Sequence, residues 1–185
     1  MTAYIDQFKF TVEEYYKLAE VGIIKDSDHV ELIDGQIVTM SPIKSFHAGI
    51  VNRIVRLLSE FNGKKILVSP QNPIHLSTHS EPEPDIIIAK FKADDYISEH
   101  PTPEDIYCLI EVSDTTLLKD REIKQPLYAK ANIPEYWIIN LVDKQIEIFR
   151  QPKNGEYHFR QIISEAGVIR LEALNLELQY GDVFN

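Results

Sequence analysis

Residues 106–112 read IYCLIEV and are apolar at almost every position. A strand with one solvent-facing side would alternate between apolar and polar residues, so this run predicts a strand that is buried on both faces. Residues 85–89, DIIIA, show the same pattern after the leading aspartate. Two such strands indicate the centre of a β-sheet that other elements cover on both sides.

The chain before these strands carries one helix signal and one hairpin signal. Thr11 and Glu14 have the spacing of a capping box, so a helix should begin after Thr11 and can end at Gly22. Residues 30–33 and 36–40 are rich in β-forming residues, and the Asp-Gly pair between them predicts a tight hairpin.

A longer helix and several shorter elements complete the pattern. Apolar residues at helical spacing predict a helix from about Lys44 to Phe61, ending before Asn62-Gly63. Strands are predicted at residues 65–69, near 74–76, at 135–140 and at 145–150, a helical segment at about 120–131, and further hairpin material at 157–163 and 168–178. This order predicts a mixed α/β (α+β) sheet protein rather than a regular βαβ repeat.

Length and composition bound the class of protein. A chain of 185 residues, 44% of them hydrophobic, is expected to form one domain over residues 1–185 without disulfides or a structural metal. No apolar run approaches the roughly 18–20 residues that span a bilayer, and residues 1–10 lack the pattern of a signal peptide. The one cysteine, Cys108, fits a buried apolar strand and a reducing cytoplasm.

Missing motifs exclude several classes of enzyme. The sequence contains no G-x-S-x-G elbow, no Walker loop, no G-x-G-x-x-G and no H-E-x-x-H. With seven glycines in all, a phosphate-cradling loop is a poor interpretation, and one cysteine cannot bind zinc through paired thiolates. Any chemistry must therefore come from other side chains.

Two carboxylates stand at the boundaries of the buried strands: Asp85 opens one, and Glu111 lies near the end of the other. Buried carboxylates are rare unless they are paired or bind a cation, because removing the charge from water is costly. If the strands are neighbours, both side chains can point into one cleft and hold Mg²⁺, which prefers oxygen ligands and retains several waters. The alternative is that Asp85 caps a loop and Glu111 pairs with an arginine or a backbone amide.

Lys124 and His47 are the next candidates. On a helix, Lys124 shares a side with Tyr128 and should face the sheet rather than solvent. His47 begins the buried stripe of its predicted helix, where a hydrogen-bonded core histidine is the commoner interpretation. His75 and His79 have metal-like spacing but no evident third ligand, and we interpret them as surface residues.

An ordered series of short motifs resembles one known family. It comprises EPEPDI at residues 81–86, LIEVS at 109–113, DREIK at 120–124, LYA at 127–129 and IPEYWI at 133–138. The VELIDG hairpin at 30–35, MSP at 40–42 and the helix of His47 also fit. From about Thr11 to Asn140, the series resembles the Uma-type restriction endonuclease family of the PD-(D/E)XK nuclease superfamily.

The resemblance implies a restriction-endonuclease-like fold, in which helices flank a central mixed sheet. It also implies hydrolysis of phosphodiester bonds in DNA that depends on Mg²⁺, with Mn²⁺ as a second suitable metal. In that family pattern Asp85 and Glu111 would bind the metal, and the backbone carbonyl of Val112 would add a ligand. Glu31 would act as an outer or second-metal ligand, and His47 would contact a phosphate or a metal-bound water.

The resemblance departs from the superfamily pattern at Ser113, which stands where the superfamily has lysine. Lys124, on the following helical segment, would take that role and stabilise the reacting phosphate. Proline is tolerated in the first turn of a helix, so Pro126 predicts that the regular helix begins near Lys124–Gln125. Lys124 would then project close to the end of the strand that carries Glu111.

Partners and alternatives follow from charge and size. The formal net charge of −10 argues against nucleic acid when taken alone, but residues 76–115 hold ten acids and two bases, whereas residues 41–75 hold one acid and five bases. We therefore expect metal-free protein to bind DNA weakly, with a strong dependence on metal and salt. A nuclease this small often needs two sites to cut both strands, which favours a homodimer. An inactive nuclease-fold module that binds DNA or protein, and chemistry on RNA, remain alternatives.

Overall fold

The computed structural model describes residues 7–62 and 65–185, so Gly63 in the predicted helix ending lies outside the described residues. Its helices are α1 (Val12–Glu20), α2 (Ser45–Leu58), α3 (Leu117–Lys119), α4 (Gln125–Lys130) and α5 (Tyr180–Phe184), and a π-helical turn (Asp120–Lys124) joins α3 to α4. Its strands are β1 (Val30–Ile33), β2 (Gln36–Thr39), β3 (Ile66–Pro70), β4 (Ile86–Lys90), β5 (Ile106–Ser113), β6 (Glu135–Asn140), β7 (Gln145–Lys153), β8 (Glu156–Ser164), β9 (Val168–Leu171) and β10 (Leu176–Gln179). Short 3₁₀ turns lie at Asp26–Asp28, Pro103–Asp105 and Glu172–Leu174.

Six of the strands form a central mixed sheet in the order β3-β4-β5-β6-β7-β8. The pair β5–β6 is parallel and the other neighbouring pairs are antiparallel. The strands β4 and β5, which the sequence predicts to be central, are adjacent and almost fully buried. The predicted fold class, a mixed sheet with helices around it, is confirmed.

Apolar clusters cover both faces of the sheet. On one face, buried residues of α2 and α5 such as Ile54 and Val183 pack against alternate residues of the strands, including Ile110 and Trp137. On the other face, Tyr128 of α4 packs with Leu109, Tyr136 and their neighbours. The double coverage explains why the central strands lack polar alternation. No helix in the described parts of the chain has the length and apolar character needed to cross a membrane.

The N-terminal helix and hairpin form as local signals predict. The side chain of Thr11 accepts a hydrogen bond from the Glu14 amide, and the Glu14 carboxylate accepts one from the Thr11 amide. Gly22, at φ +75°, follows the helix end and donates to the carbonyl of Ala19, as in a glycine-terminated helix. Asp34 and Gly35 both have positive φ in the two-residue turn between β1 and β2, which is the geometry that matches strand twist.

Two predicted elements differ from the structure. Residues 74–76 are not a strand: the amide of Ile74 donates to the Pro82 carbonyl and that of Leu76 to the Ser80 carbonyl, within a local loop. The alternating burial of Ile74 and Leu76 imitates a strand because both side chains enter the core under that loop. The second difference is the helical segment predicted from about residue 120, which begins at residue 117 and passes through a π turn before α4 starts at Gln125.

Candidate active site

The two predicted acids meet where β4 begins and β5 ends. Ile86 lies opposite Ile110 in the antiparallel register, so Asp85, one residue earlier, comes opposite Glu111. The Asp85 amide donates a hydrogen bond to Glu111 Oε2 at 3.3 Å. The amide of Val112 donates to Asp85 Oδ2 at 2.8 Å. The Asp85 side chain thus accepts the hydrogen bond of a β5 amide that lies beyond the end of β4.

The position of Val112 also determines where its carbonyl points. In a β-strand, the amide and carbonyl of one residue point to the same side, because opposite residues exchange both hydrogen bonds. Since the Val112 amide points to Asp85, the Val112 carbonyl lies along the same edge of β5. The carboxylates of Asp85 and Glu111 therefore lie together at this corner of the sheet, and the Val112 carbonyl lies on the same edge of β5.

Lys124 faces the sheet as its helical spacing predicts. Its Nζ lies 2.9 Å from Glu111 Oε1 and 3.3 Å from Glu31 Oε2, and it donates to the Glu83 carbonyl at 3.4 Å. Its side chain is only 6% exposed. The regular helix α4 begins at Gln125 with Pro126 in its first turn, which confirms the predicted start and places Lys124 at the head of that helix.

Charges around Lys124 determine its protonation. Burial acts to lower the pKa of Lys124, but the carboxylates of Glu111 and Glu31 outweigh burial and raise that pKa above its ordinary value. Burial is also the largest influence on Glu111 and raises its pKa well above the ordinary range; the Lys124 ammonium opposes this shift, and Asp120 adds to it. Tyr128 lies beside the pair and donates its hydroxyl hydrogen to Glu111 Oε1 at 3.0 Å.

Glu31 reaches the same corner from β1. Its side chain is 1% exposed, and its Oε1 accepts a hydrogen bond from Lys119 Nζ at 2.6 Å. Its Oε2 accepts one from the Glu83 amide at 3.0 Å. Burial alone would raise the pKa of Glu31, but the charges of Lys124 and Lys119 hold it below the ordinary value. Glu31 is therefore a carboxylate that holds two lysines at the site.

His47 lies in the first turn of α2 and meets Asp85 directly. Its Nε2 is 2.9 Å from Asp85 Oδ1, and the two side chains are 14% and 15% exposed. Burial acts to lower the pKa of His47, but the hydrogen bond and charge of Asp85 outweigh it and raise the pKa above its ordinary value. His47 is hydrogen-bonded, as the commoner interpretation expects, but to a carboxylate in the cleft rather than within an apolar core.

These side chains line one cavity of about 630 Å³. Its wall includes seven carboxylates but three lysines, so the enclosed charge is strongly negative. The acids are Asp28, Glu31, Glu83, Asp85, Glu111, Asp114 and Asp120, and the lysines are Lys44, Lys119 and Lys124. Such an excess raises the electrostatic cost of keeping every acid ionised unless a cation enters.

Three lining residues carry no signal that the sequence interpretation used. Glu83 adds the carbonyl that binds Lys124, and burial is the main cause that raises the pKa of its own carboxyl. Lys119 pairs with Glu31 across a large sequence separation. Asp120 is buried and accepts hydrogen bonds from two hydroxyl groups. The EPEPD and DREIK motifs contain Glu83 and Asp120, so attention to every acid in those motifs could have found them.

The other residues singled out from the sequence lie elsewhere. The ring of His75 contacts Glu81 at 3.2 Å and that of His79 contacts the Phe10 carbonyl at 2.9 Å, both partly exposed. Cys108 is fully buried in β5, which raises the pKa of its thiol.

The oxygen atoms at this corner favour a hard divalent cation that keeps several water ligands. Within the described residues, no group of three or more His, Cys, Asp or Glu side chains is arranged so that it could hold a metal ion. Two adjacent carboxylates and a backbone carbonyl supply oxygen only and leave room for water and substrate, which is the arrangement that Mg²⁺ prefers. The excess of carboxylates in the cavity is consistent with this choice.

The fold is nuclease-like. The structure is similar to the crystal structure of a putative nuclease of the DUF820 group from Anabaena variabilis, with a TM-score of 0.74, covering 95% of this chain and 97% of that chain at 15% sequence identity. The model of the Uma2 family, described as "Putative restriction endonuclease", matches residues 12–181, and the chain belongs to that family. The comparison with curated proteins found no match to the chain.

Proposed function

We propose that the protein is a Mg²⁺-dependent endonuclease that hydrolyses phosphodiester bonds in DNA, with Mn²⁺ as a substitute metal. Asp85, Glu111 and the Val112 carbonyl would hold the metal. When bound, it would supply a Lewis acid for the phosphoryl group and lower the pKa of a water molecule. The observation that carries the proposal is the convergence of Asp85 and Glu111 on one strand edge, with Lys124 2.9 Å from Glu111.

Lys124 would stabilise the negative charge that develops on the phosphoryl oxygens. A fixed ammonium that is preorganised in a water-poor site stabilises such charge far more than one in bulk water. We assign Lys124 to charge stabilisation and to orienting the attacking water, because its ammonium lies 2.9 Å from Glu111, beside the proposed metal ligands. Tyr128 supports this position by hydrogen bonding to the same oxygen of Glu111.

His47 and Glu31 would position the reacting groups. His47 hydrogen-bonds Asp85 Oδ1, so it orients that carboxylate and lies where a phosphate or water could also be contacted. Glu31 holds Lys119 and Lys124 with its two oxygens and would serve as an outer ligand or as a ligand of a second metal. Both residues line the cavity.

Nicking of supercoiled plasmid DNA under Mg²⁺ or Mn²⁺ tests this function. Asp85→Asn and Glu111→Gln keep the size of the side chains but remove the charge, and each should reduce the nicking rate by at least about 100-fold. Glu99→Gln is the matched control, because Glu99 is 64% exposed and distant from the cavity lining, and it should cut like the wild type. Equal nicking by all four proteins would overturn the assignment.

The competing interpretation, an inactive module that binds DNA or another protein, is separated by the same series. Such a module would not nick DNA in any metal, whereas RNA as the preferred substrate would appear as cleavage of RNA that Asp85→Asn abolishes. A homodimer and a cytoplasmic location belong to the proposal as well. Light scattering on the purified chain, with and without DNA, tests the dimer.

A further inference from the structure

Asp120 is a buried carboxylate with no role in the metal assignment. It is 3% exposed, and its Oδ2 accepts hydrogen bonds from Ser113 Oγ at 2.7 Å and Thr116 Oγ1 at 2.8 Å. Within the described part of the chain, no lysine or arginine forms an ion pair with it, and burial is the main cause that raises its pKa. A buried carboxylate held only by hydroxyl groups contributes little net stability, so stability alone is a poor explanation for it.

Asp120 and Lys124 lie at the two ends of one turn, and the side chain of each contacts a residue of β5. Glu111 and Ser113 are two residues apart on β5 and therefore point to the same face. Asp120 and Lys124 are the first and last residues of the π turn. Two side-chain hydrogen bonds thus join the strand to the turn: Ser113 donates to Asp120, and Lys124 donates to Glu111. The hydroxyl of Tyr136 adds a hydrogen bond to the Asp120 carbonyl at 3.3 Å.

The π turn determines the direction in which Lys124 points. The amide of Gln125 donates to the Asp120 carbonyl, the five-residue hydrogen bond that defines this turn. Relaxation to an α-helix would shift the chain by one residue, which rotates the following side chains by about 100°. Such a rotation would carry the Lys124 ammonium away from Glu111. Asp120 is held at the start of the turn in two ways: its side chain accepts hydrogen bonds from Ser113 and Thr116, and its carbonyl accepts one from Tyr136.

We propose that Asp120, held by Ser113 and Thr116, is the positioning residue that directs Lys124 to the metal-binding acids. Ser113, which follows Glu111 by two residues on β5, ties the turn that carries Lys124 to the strand of that proposed metal ligand. The role in cleavage rests on the proposed nuclease function. The placement of Lys124 by Asp120 is independent of that function and can be measured in a protein without nuclease activity.

The first test measures the reactivity of the Lys124 amine toward an acylating reagent, by mass spectrometry. We expect Lys124 to be protected in the wild type and in Asp120→Asn, whose side-chain oxygen still accepts both hydroxyl hydrogen bonds. In Asp120→Ala and Ser113→Ala it should react at least about tenfold faster. Ser98→Ala is the control, because it also removes a hydroxyl that donates to a carboxylate, at 2.9 Å from Asp94 on the surface. Unchanged protection of Lys124 in both test variants would overturn the proposal.

The second test uses cleavage and metal affinity in folded variants, each checked by thermal unfolding. Asp120→Ala should slow cleavage about 10- to 100-fold while Mn²⁺ affinity changes little, and Asp120→Asn should restore the rate. In a Lys124→Met background, Asp120→Ala should cause no further loss, because it acts only through Lys124. A large loss of Mn²⁺ affinity, or a further loss of rate in that background, would contradict the positioning role. If the wild type does not cleave, the proposed function fails and the acylation result alone decides the placement.

Discussion

Lys124 is the residue on which the geometry of the site depends. An isolated lysine that is 6% exposed would be driven to release its proton, yet here two carboxylates and a carbonyl surround the ammonium. Lys124 therefore places one basic group beside several acids, whose charges it offsets only in part. Arginine would not reproduce it, because a planar guanidinium has a different shape and donor geometry.

Replacement of Lys124 by methionine tests this role. Met is similar in length but leaves Glu111 and Glu31 without their shared cation, so we expect cleavage to fall about 100- to 1,000-fold. The free energy of unfolding at neutral pH should fall by about 3–5 kcal/mol, because a buried charge loses its partner. Lys92→Met is the control: Lys92 is 34% exposed and should contribute about 1 kcal/mol or less. Wild-type cleavage by Lys124→Met would refute the role.

Residue by residue, the sequence revealed the acids at strand boundaries and Lys124, but not the other buried charged residues around them. Asp85 and Glu111 stand out because a charged residue interrupts an apolar run, and Lys124 because it shares a helical side with Tyr128. Lys119 and Asp120 gave no such signal, since lysine and aspartate near a helix start are ordinary on a surface. Their burial arises from tertiary contacts with Glu31 and Ser113, which no local pattern contains.

Among the elements, the π turn is fastened to the sheet at a second point. Arg121, in that turn, makes an ion pair with Glu147 on β7, and Arg160 on β8 pairs with the other oxygen of Glu147 at 2.9 Å. Asn140 also donates to Glu147. The turn that carries Lys124 is thus bound to β5 on one side and to β7 on the other, which favours a single orientation.

Glu147 gives this attachment a defined pH dependence. Burial opposes ionisation, but the hydrogen bonds from Arg121 and Arg160 outweigh it and lower the pKa of Glu147 below its ordinary value of 4.5. A group with a lowered pKa contributes its stability above the unfolded-state pKa and loses it as the pH falls through the folded-state pKa. Glu147→Gln should therefore be less stable than the wild type by roughly 1.5–3 kcal/mol at pH 7.

The difference between the two proteins should shrink as the pH falls below about 4.5, the value at which an unfolded glutamate takes up its proton. Denaturant unfolding across pH 3–7 measures it. Glu177→Gln, which removes the exposed partner of Arg170, should differ from the wild type by less than about 1 kcal/mol throughout. A difference for Glu147→Gln that stays constant with pH would show that its charge does not hold the turn.

Elements governed by local rules were predictable, and those governed by tertiary contacts were not. The capping box of Thr11 and Glu14 and the Asp34-Gly35 turn appear as their spacing predicts, because the atoms that form them are neighbours in the chain. The loop at residues 74–76 and the π turn escaped prediction. Besides its local hydrogen bonds, the loop is held by the amide of His75, which donates to the distant Pro101 carbonyl, and the π turn is held by Asp120, which accepts a hydrogen bond from Ser113 on β5.

At the scale of the whole molecule, ion pairs and hydrogen bonds within the protein reduce the number of basic side chains that are available to bind DNA. Lys44 immediately precedes the helix α2, which carries Arg53 and Arg56, yet Lys44 pairs with Asp114 at 2.8 Å and Arg53 is bound to the Val183 carbonyl. The acids of the cavity repel phosphate in the absence of a cation. Binding of nucleic acid should therefore be coupled to binding of metal.

Fluorescence anisotropy with a labelled duplex measures that coupling. Ca²⁺ serves as the probe because it binds oxygen ligands and often supports binding without cleavage. We expect Ca²⁺ to tighten DNA binding at least about tenfold relative to EDTA, with affinity falling as salt rises. In Asp85→Asn the effect of Ca²⁺ should largely disappear. Equally tight binding in EDTA and Ca²⁺ would show that the acidic cavity does not control the interaction.

The most direct measurement of the central claim is a crystal structure of the protein soaked in Mn²⁺, with the ion located by its anomalous scattering. We expect one Mn²⁺ bound to the carboxylates of Asp85 and Glu111 and to the Val112 carbonyl, with metal–oxygen distances of about 2.0–2.3 Å, and Lys124 directed at the site. Asp85→Asn crystals treated in the same way should lack the ion. A soak that leaves Asp85 and Glu111 without metal, while Mn²⁺ binds elsewhere on the molecule, would contradict the account.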